Sequence, residues 1–217
     1  MLLSEQQKDA LIKFISIAFD HSTISLSELV GVPLHLDSPE VYLHPVCSLA
    51  THFSDFANDD LTIVSQIFKG CISGNVLWLL NYNNAAKLMD LFRDYHKLNQ
   101  ENNYLHIYYE MFTEFGNILL NACMGMFNKI LDLQVYFSMP ILHLQKLNTL
   151  LDFLNSKNEL RYAIIIRTTL YLYENSVNSY ILLVVGVPSL YQLIKAIETW
   201  AELLMPNQPA QTVSLNP

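Results

Sequence analysis

The sequence predicts an α/β (α+β) protein made by internal duplication, with two long helices packed on a mixed or antiparallel sheet in pseudo-two-fold arrangement. Three observations predict it. The chain is rich in apolar mass: of its 217 residues 52% are hydrophobic and 15% charged, against roughly 25% charged in ordinary soluble domains. The order helix, strand, short helix, strand, strand, helix is spelled twice. Sliding the first half onto the second by 101 positions superposes Phe14 on Phe115, Ile17 on Ile118 and Pro39 on Pro140.

The first element is a helix filling the first 30 residues. Ser4 caps it with Gln7 as capping-box partner, Leu11, Phe14, Ile15, Ala18 and Phe19 follow at helical spacing, and Gly31-Val32-Pro33 stops it. A strand is expected over Leu34–Leu43, broken by Pro39, then a short helical stretch near Cys47–Phe56. Strands over Leu61–Lys69 and Asn75–Asn81 and a helix over about Asn84 to Lys97 close the first half. The second half repeats the series. A long helix runs from about Asn103 to Leu131, with a strand near Gln134–His143 that again contains a proline. A short helix over Leu147–Asn155, strands over Arg161–Tyr173 and Ser179–Val187, and a helix over Ser189–Leu204 follow. The halves are residues 4–98 and 103–204 of one domain spanning 1–204. The polar, proline-containing stretch 206–217 reads as a disordered tail.

Composition excludes several functions. Low hydrophobicity in combination with high net charge marks disordered chains, and the 52% apolar content here rules that out. A net charge of −8 opposes nucleic acid as a partner, since phosphate neutralisation needs clustered Lys and Arg. The longest continuous apolar run, Tyr180–Val187, is far below the ~20 residues of a membrane span, and the start lacks the pattern of a signal peptide. The expectation is a soluble, cytoplasmic protein without membrane insertion. Cys47, Cys71 and Cys123 show no Cys-x-x-Cys spacing, the seven histidines no metal-binding spacing, and the six glycines no phosphate loop. No metal or cofactor is expected on the chain.

The second long helix carries the informative pattern. Glu110, Glu114, Asn117, Asn121 and Asn128 fall on one stripe, opposite Phe112, Phe115, Ile118, Leu119 and Ala122. Asparagine is a poor helix former because its amide competes for backbone hydrogen bonds, yet three share this face. An ordinary solvated face would favour long charged side chains, which are scarce there.

Glu114 and Asn117 in Glu-x-x-Asn, followed after 22 residues by Pro140 in Ser138-Met139-Pro140, resemble the site of the CheC/CheX/FliY family of chemotaxis response-regulator phosphatases. The resemblance covers about residues 4–204, and CheC-type members carry two such repeats. It implies a CheC-like fold and a hydrolase that removes the aspartyl-phosphate of a CheY-like response regulator in two-component signalling. Asn117 would orient the attacking water, Glu114 would dock against a partner lysine, and Glu110 and Pro140 would support them. The Mg²⁺ of the reaction would belong to the phosphorylated partner. In the first repeat Asp9 and Pro39 occupy matching places, but Lys13 replaces the Glu and Ser16 the Asn, which reads as a degenerate site. The alternative is a non-catalytic module that binds a response regulator or a chemotaxis or flagellar-switch component. A third reading, a hydrolase using Glu110 and Glu114 as an acid/base pair, lacks a nucleophile or burial to separate their pKa values. The resemblance leaves open which regulator is bound and whether a CheD-like protein is a partner. Duplication within one chain favours a monomer.

Overall fold

In the computed structural model, residues 3–56, 59–96, 104–156, 159–172 and 174–204 are described. The chain begins with α1 (Glu5–Val30), capped as its sequence dictates. The Ser4 hydroxyl accepts from the Gln7 amide at 3.2 Å, while the Gln7 side chain accepts from the Ser4 amide at 2.8 Å. It ends at Gly31 in the left-handed region, φ 76°, where a side chain would be strained.

Next come β1 (Leu34–Leu36), β2 (Glu40–Pro45), a short turn of helix α2 (Leu49–His52), β3 (Asp60–Gly70), β4 (Gly74–Asn81) and α3 (Tyr82–His96). The second series is α4 (Tyr104–Ile130), β5 (Val135–Phe137), β6 (Ile141–Lys146), α5 (Leu147–Asn155), β7 (Arg161–Leu172), β8 (Asn175–Gly186) and α6 (Val187–Leu204). A shift of 101 carries β1 onto β5 and β2 onto β6 end for end. The same shift carries Gly31 onto Asp132, which adopts a left-handed φ of 51°.

The eight strands form one sheet in the order β1-β7-β8-β4-β3-β5, with β2 also on β7 and β6 also on β3. Every pairing is antiparallel, which resolves the mixed-or-antiparallel expectation. The halves are interleaved: β1 and β2 lie on β7 of the second half, and β5 and β6 lie on β3 of the first.

Each expected proline-broken strand is two strands joined by a bulge. Leu36 pairs with Leu170 and Glu40 with Arg167, so residues 37–39 oppose only 168 and 169. Likewise Phe137 pairs with Phe68 and Ile141 with Ser65, so 138–140 oppose 66 and 67. Proline has no amide hydrogen to continue the ladder, and one extra residue bends the edge strand away. β8 begins at Asn175 rather than near Ser179, because the polar Asn175–Asn178 stretch is drawn into the hairpin with β7.

Both faces of the sheet are covered. The long helices α1, α3, α4 and α6 bury Val64, Phe68, Val76, Trp78, Ile164 and Leu183 on one face. The short helical segments bury Ile63, Leu77, Leu79, Ile165 and Leu182 on the other, chiefly through Leu49, Leu147, Leu150 and Leu151. This double burial accounts for the low charge content. The expected tail at 206–217, and the junction of the halves at 98–103, lie outside the described residues.

Candidate functional site

The site is built on the middle of α4. Phe112, Phe115, Leu119 and Leu120 are fully buried, and Phe115 stacks on Trp78 of β4 with ring centroids 4.9 Å apart. That packing fixes which side of the helix faces out. Gly116 brings the helix still closer, since a Cβ there would lie 2.6 Å from the Val64 side chain. Glu110 and Glu114 are exposed and Asn117 is half-buried, one turn from Glu114 and about 4.5 Å along the axis.

Among the described residues, Glu114 makes no hydrogen bond or ion pair, so its carboxylate is open to a partner. Glu110 is engaged differently: its Oε1 lies 3.1 Å from Nε2 of His106, one turn back. Both of those side chains are largely exposed, where such a pair is worth little and is charged only when the histidine is protonated.

The amide side chains are joined. Asn121 Nδ2 donates to Asn117 Oδ1 at 2.7 Å. From β3 beneath, the buried Gln66 directs its Nε2 at Asn117 Oδ1 (3.5 Å), Asn121 Oδ1 (3.4 Å) and the Ser138 carbonyl (3.4 Å). Ser138 opens the bulge that Pro140 closes. Its amide donates to the Ile67 carbonyl at 2.9 Å and its hydroxyl accepts from the Ile67 amide at 2.9 Å. The segment that Pro140 closes therefore reaches Asn117 through Gln66.

Asn128, on the same stripe, does something else. Its side chain accepts from the Val135 amide at 2.8 Å and donates to the Val135 carbonyl at 3.2 Å, fastening the end of α4 to β5. Gln66 is the residue that sequence reasoning missed. It sits in the other half of the chain, 51 residues from Asn117, and only the interleaved pairing of β3 with β5 and β6 brings it there.

The first half has a reduced copy of this arrangement. Asp9 and Lys13 are exposed on α1, Ser16 is half-buried and Pro39 is buried. The Ser16 hydroxyl donates back to the Ile12 carbonyl at 2.9 Å. Thr168, in the place of Gln66 relative to the bulge, donates to the Asp37 carbonyl at 3.1 Å. Both polar groups are thus satisfied locally, and neither extends outward.

Beside the N-terminal part of α4 runs a groove of about 340 Å³ lined by Leu105 and Tyr108 together with Asp60, Tyr82 and Leu144. Among the described residues no group of three His, Cys, Asp or Glu side chains is arranged to hold a metal, and no helix is long and apolar enough to cross a membrane.

No family model and no curated protein matches this sequence. Solved structures do match its fold. FliY of Thermotoga maritima is 17% identical, with 94% of this chain and 100% of that one covered and a TM-score of 0.69. A chain of the FliG–FliM complex from H. pylori is 8% identical, with 89% and 100% covered and a TM-score of 0.64. A chain of the CheX–CheY–BeF3–Mg²⁺ complex from Borrelia burgdorferi is 10% identical, with 81% and 99% covered and a TM-score of 0.51. The α+β fold is thus the one shared by these chemotaxis and flagellar proteins, and it is the fold that the Glu-x-x-Asn and proline pattern led one to expect. More particularly, the match that spans nearly the whole of both chains with the highest of these three scores is to FliY.

Proposed function

We propose that this chain is a member of the CheC/CheX/FliY family that accelerates hydrolysis of the aspartyl-phosphate of a CheY-like response regulator, through one site in its second half. The observation that carries this reading is the outward pair Glu114 and Asn117, one turn apart on α4 where Gly116 packs against Val64 of the sheet. Such a pair can enter a partner's phosphate pocket as a unit, held by a helix that cannot tilt without disturbing Val64 and Trp78.

Phosphoryl transfer leaves little covalent work to the protein, so positioning and electrostatics are the available levers. The free Glu114 carboxylate docks against a partner lysine, and the Asn117 amide fixes a water in line with phosphorus. The partner brings the Mg²⁺ that neutralises the phosphoryl oxygens. Pro140 acts through the bulge that sets Ser138 beneath Gln66. In the first half, Lys13 offers the wrong charge and Ser16 is bonded back to the Ile12 carbonyl of its own helix, so that site is inactive. Location in the cytoplasm follows from this reading, as does function as a single chain.

A second reading has a specific observation behind it: a chain of the FliG–FliM complex matches at a TM-score of 0.64, against 0.51 for a chain of the CheX–CheY complex. On that reading the chain binds a regulator or a switch component without turnover. The test is decay of a phosphorylated receiver domain with this protein at catalytic and at stoichiometric amounts. Multiple-turnover loss of phosphate supports the phosphatase. Decay that is unchanged or slowed, even at stoichiometric amounts, overturns it in favour of the binding module.

A further inference from the structure

We infer that Gln66 and Asn121 are positioning residues that lock the Asn117 side chain with its oxygen inward, so that Asn117 meets its partner as a hydrogen-bond donor. This rests on the phosphatase reading and specifies how that site works.

An asparagine amide can face either way, so its direction must be set by a neighbour that cannot turn. Here that neighbour is the Ser138 backbone carbonyl, held in the bulge by both of its residue's bonds to Ile67. A carbonyl only accepts. Gln66 must therefore present its NH₂ to Ser138, and the same NH₂ then faces Asn117 Oδ1 and Asn121 Oδ1. With its oxygen facing Gln66, Asn121 is left with its own NH₂ free to donate, and it does so to Asn117 Oδ1 at 2.7 Å, the shortest bond of the set. The Asn117 oxygen thus accepts from Asn121 and faces the Gln66 NH₂, whose two protons are shared among three acceptors at 3.4–3.5 Å. Its NH₂ has no protein partner among the described residues, and it is the group left for the outside.

The arrangement carries a cost that marks it as more than packing. Gln66 is 2% exposed and its Oε1 has no hydrogen-bond partner. A buried amide oxygen left unsatisfied is unfavourable, and methionine would fill the same space without it. Glutamine is needed there for its donor.

The chemical consequence is definite. Asn117 holds the attacking water through one lone pair of the water oxygen, leaving the other directed at phosphorus, and accepts no proton from it. The water's protons go to phosphoryl or partner oxygens. The first half lacks every part of the relay, since Thr168 spends its single hydroxyl proton on Asp37 and Ser16 spends its own on Ile12.

The experiment compares Asn121→Asp, Asn121→Gln and Gln66→Met with the parent in the receiver decay assay. Asn121→Asp keeps the size but removes the donor. It should lower kcat by about tenfold, the scale of lost orientation, with KM unchanged. Asn121→Gln keeps the donor and should stay within about threefold of the parent. Gln66→Met should also lower kcat while leaving the melting temperature equal or higher, a combination that a merely structural glutamine would not give. Parent-like kcat in both Asn121→Asp and Gln66→Met overturns the inference. A second readout does not depend on turnover: the Cγ resonance of Asn117, assigned by its loss in Asn117→Ala, should move upfield in Asn121→Asp and Gln66→Met. If it stays in place, the inward orientation is wrong. If it moves while the parent fails to accelerate decay, the orientation stands and the phosphatase reading falls.

Discussion

Gly116 of α4 lies so close to Val64 of β3 that a Cβ would stand 2.6 Å from the valine's own Cβ. The neighbouring atom belongs to a stiff, branched side chain at the sheet surface, so it cannot swing aside. Gly116→Ala gains about 1 kcal/mol of helix propensity but incurs overpacking of about 1–3 kcal/mol. The expected outcome is net destabilisation of about 1 kcal/mol in urea unfolding, with loss of receiver dephosphorylation as Asn117 is lifted from Gln66. Gly125, on the same helix, has nothing within 4 Å of a Cβ. Gly125→Ala should stabilise the protein by up to about 1 kcal/mol and leave activity intact.

Asn117→Ala removes the group that the proposed mechanism assigns to orient water, while leaving the exposed Glu114 untouched. It should reduce kcat by about 10²-fold with little change in binding to a beryllofluoride-loaded receiver domain, measured by titration. Glu114→Lys copies the charge of Lys13. It should weaken that binding by about tenfold or more, and the parent's binding should weaken as salt is raised, because the contact it loses is ionic.

Much of this site is readable from the sequence, and the reason is local geometry. Glu114 and Asn117 lie three residues apart, and helical periodicity alone places them together, just as Leu147, Leu150, Leu151 and Leu154 define α5. The prolines announced two interrupted strands. Gln66 could not be read in this way, because its partners lie 51 to 72 residues away and meet it through interleaved strand pairing that periodicity does not encode. Asn128 shows the converse: it shares the stripe of Asn117, yet it is consumed in pinning Val135. Shared direction on a helix does not tell what lies opposite.

The three thiols should separate cleanly. Cys47 and Cys71 are exposed and Cys123 is buried, and burial pushes the Cys123 thiol up to about 12. A thiolate is the reactive form, so a disulfide reagent at neutral pH should modify two cysteines quickly and Cys123 only on unfolding. Fast modification of all three in the folded protein would contradict the packing of α4.

His52 gives the fold a pH dependence. Burial, and then the nearby His44, hold its imidazole below the ordinary histidine value, with the two rings 4.9 Å apart. Its folded pKa lies below its unfolded one, so between the two the unfolded chain binds more protons and stability rises with pH. This contribution is fully present above about pH 6.5, the unfolded value, and is lost as pH falls below it toward the depressed folded pKa. His52→Gln should flatten the stability profile in that window, as followed by urea midpoints across pH 5 to 8.

The interleaving of β1 and β2 with β7, and of β5 and β6 with β3, has a consequence for assembly. Cut between α3 and α4, each half would keep one long hairpin and lose the partner of its short edge strands. Two copies of one half could repair this by exchanging those strands, but they would then find each other only as fast and as firmly as their concentration allowed. Joined in one chain, the halves meet at the millimolar effective concentration typical of short linkers. Strand exchange thereby becomes an intramolecular event that dilution cannot reverse.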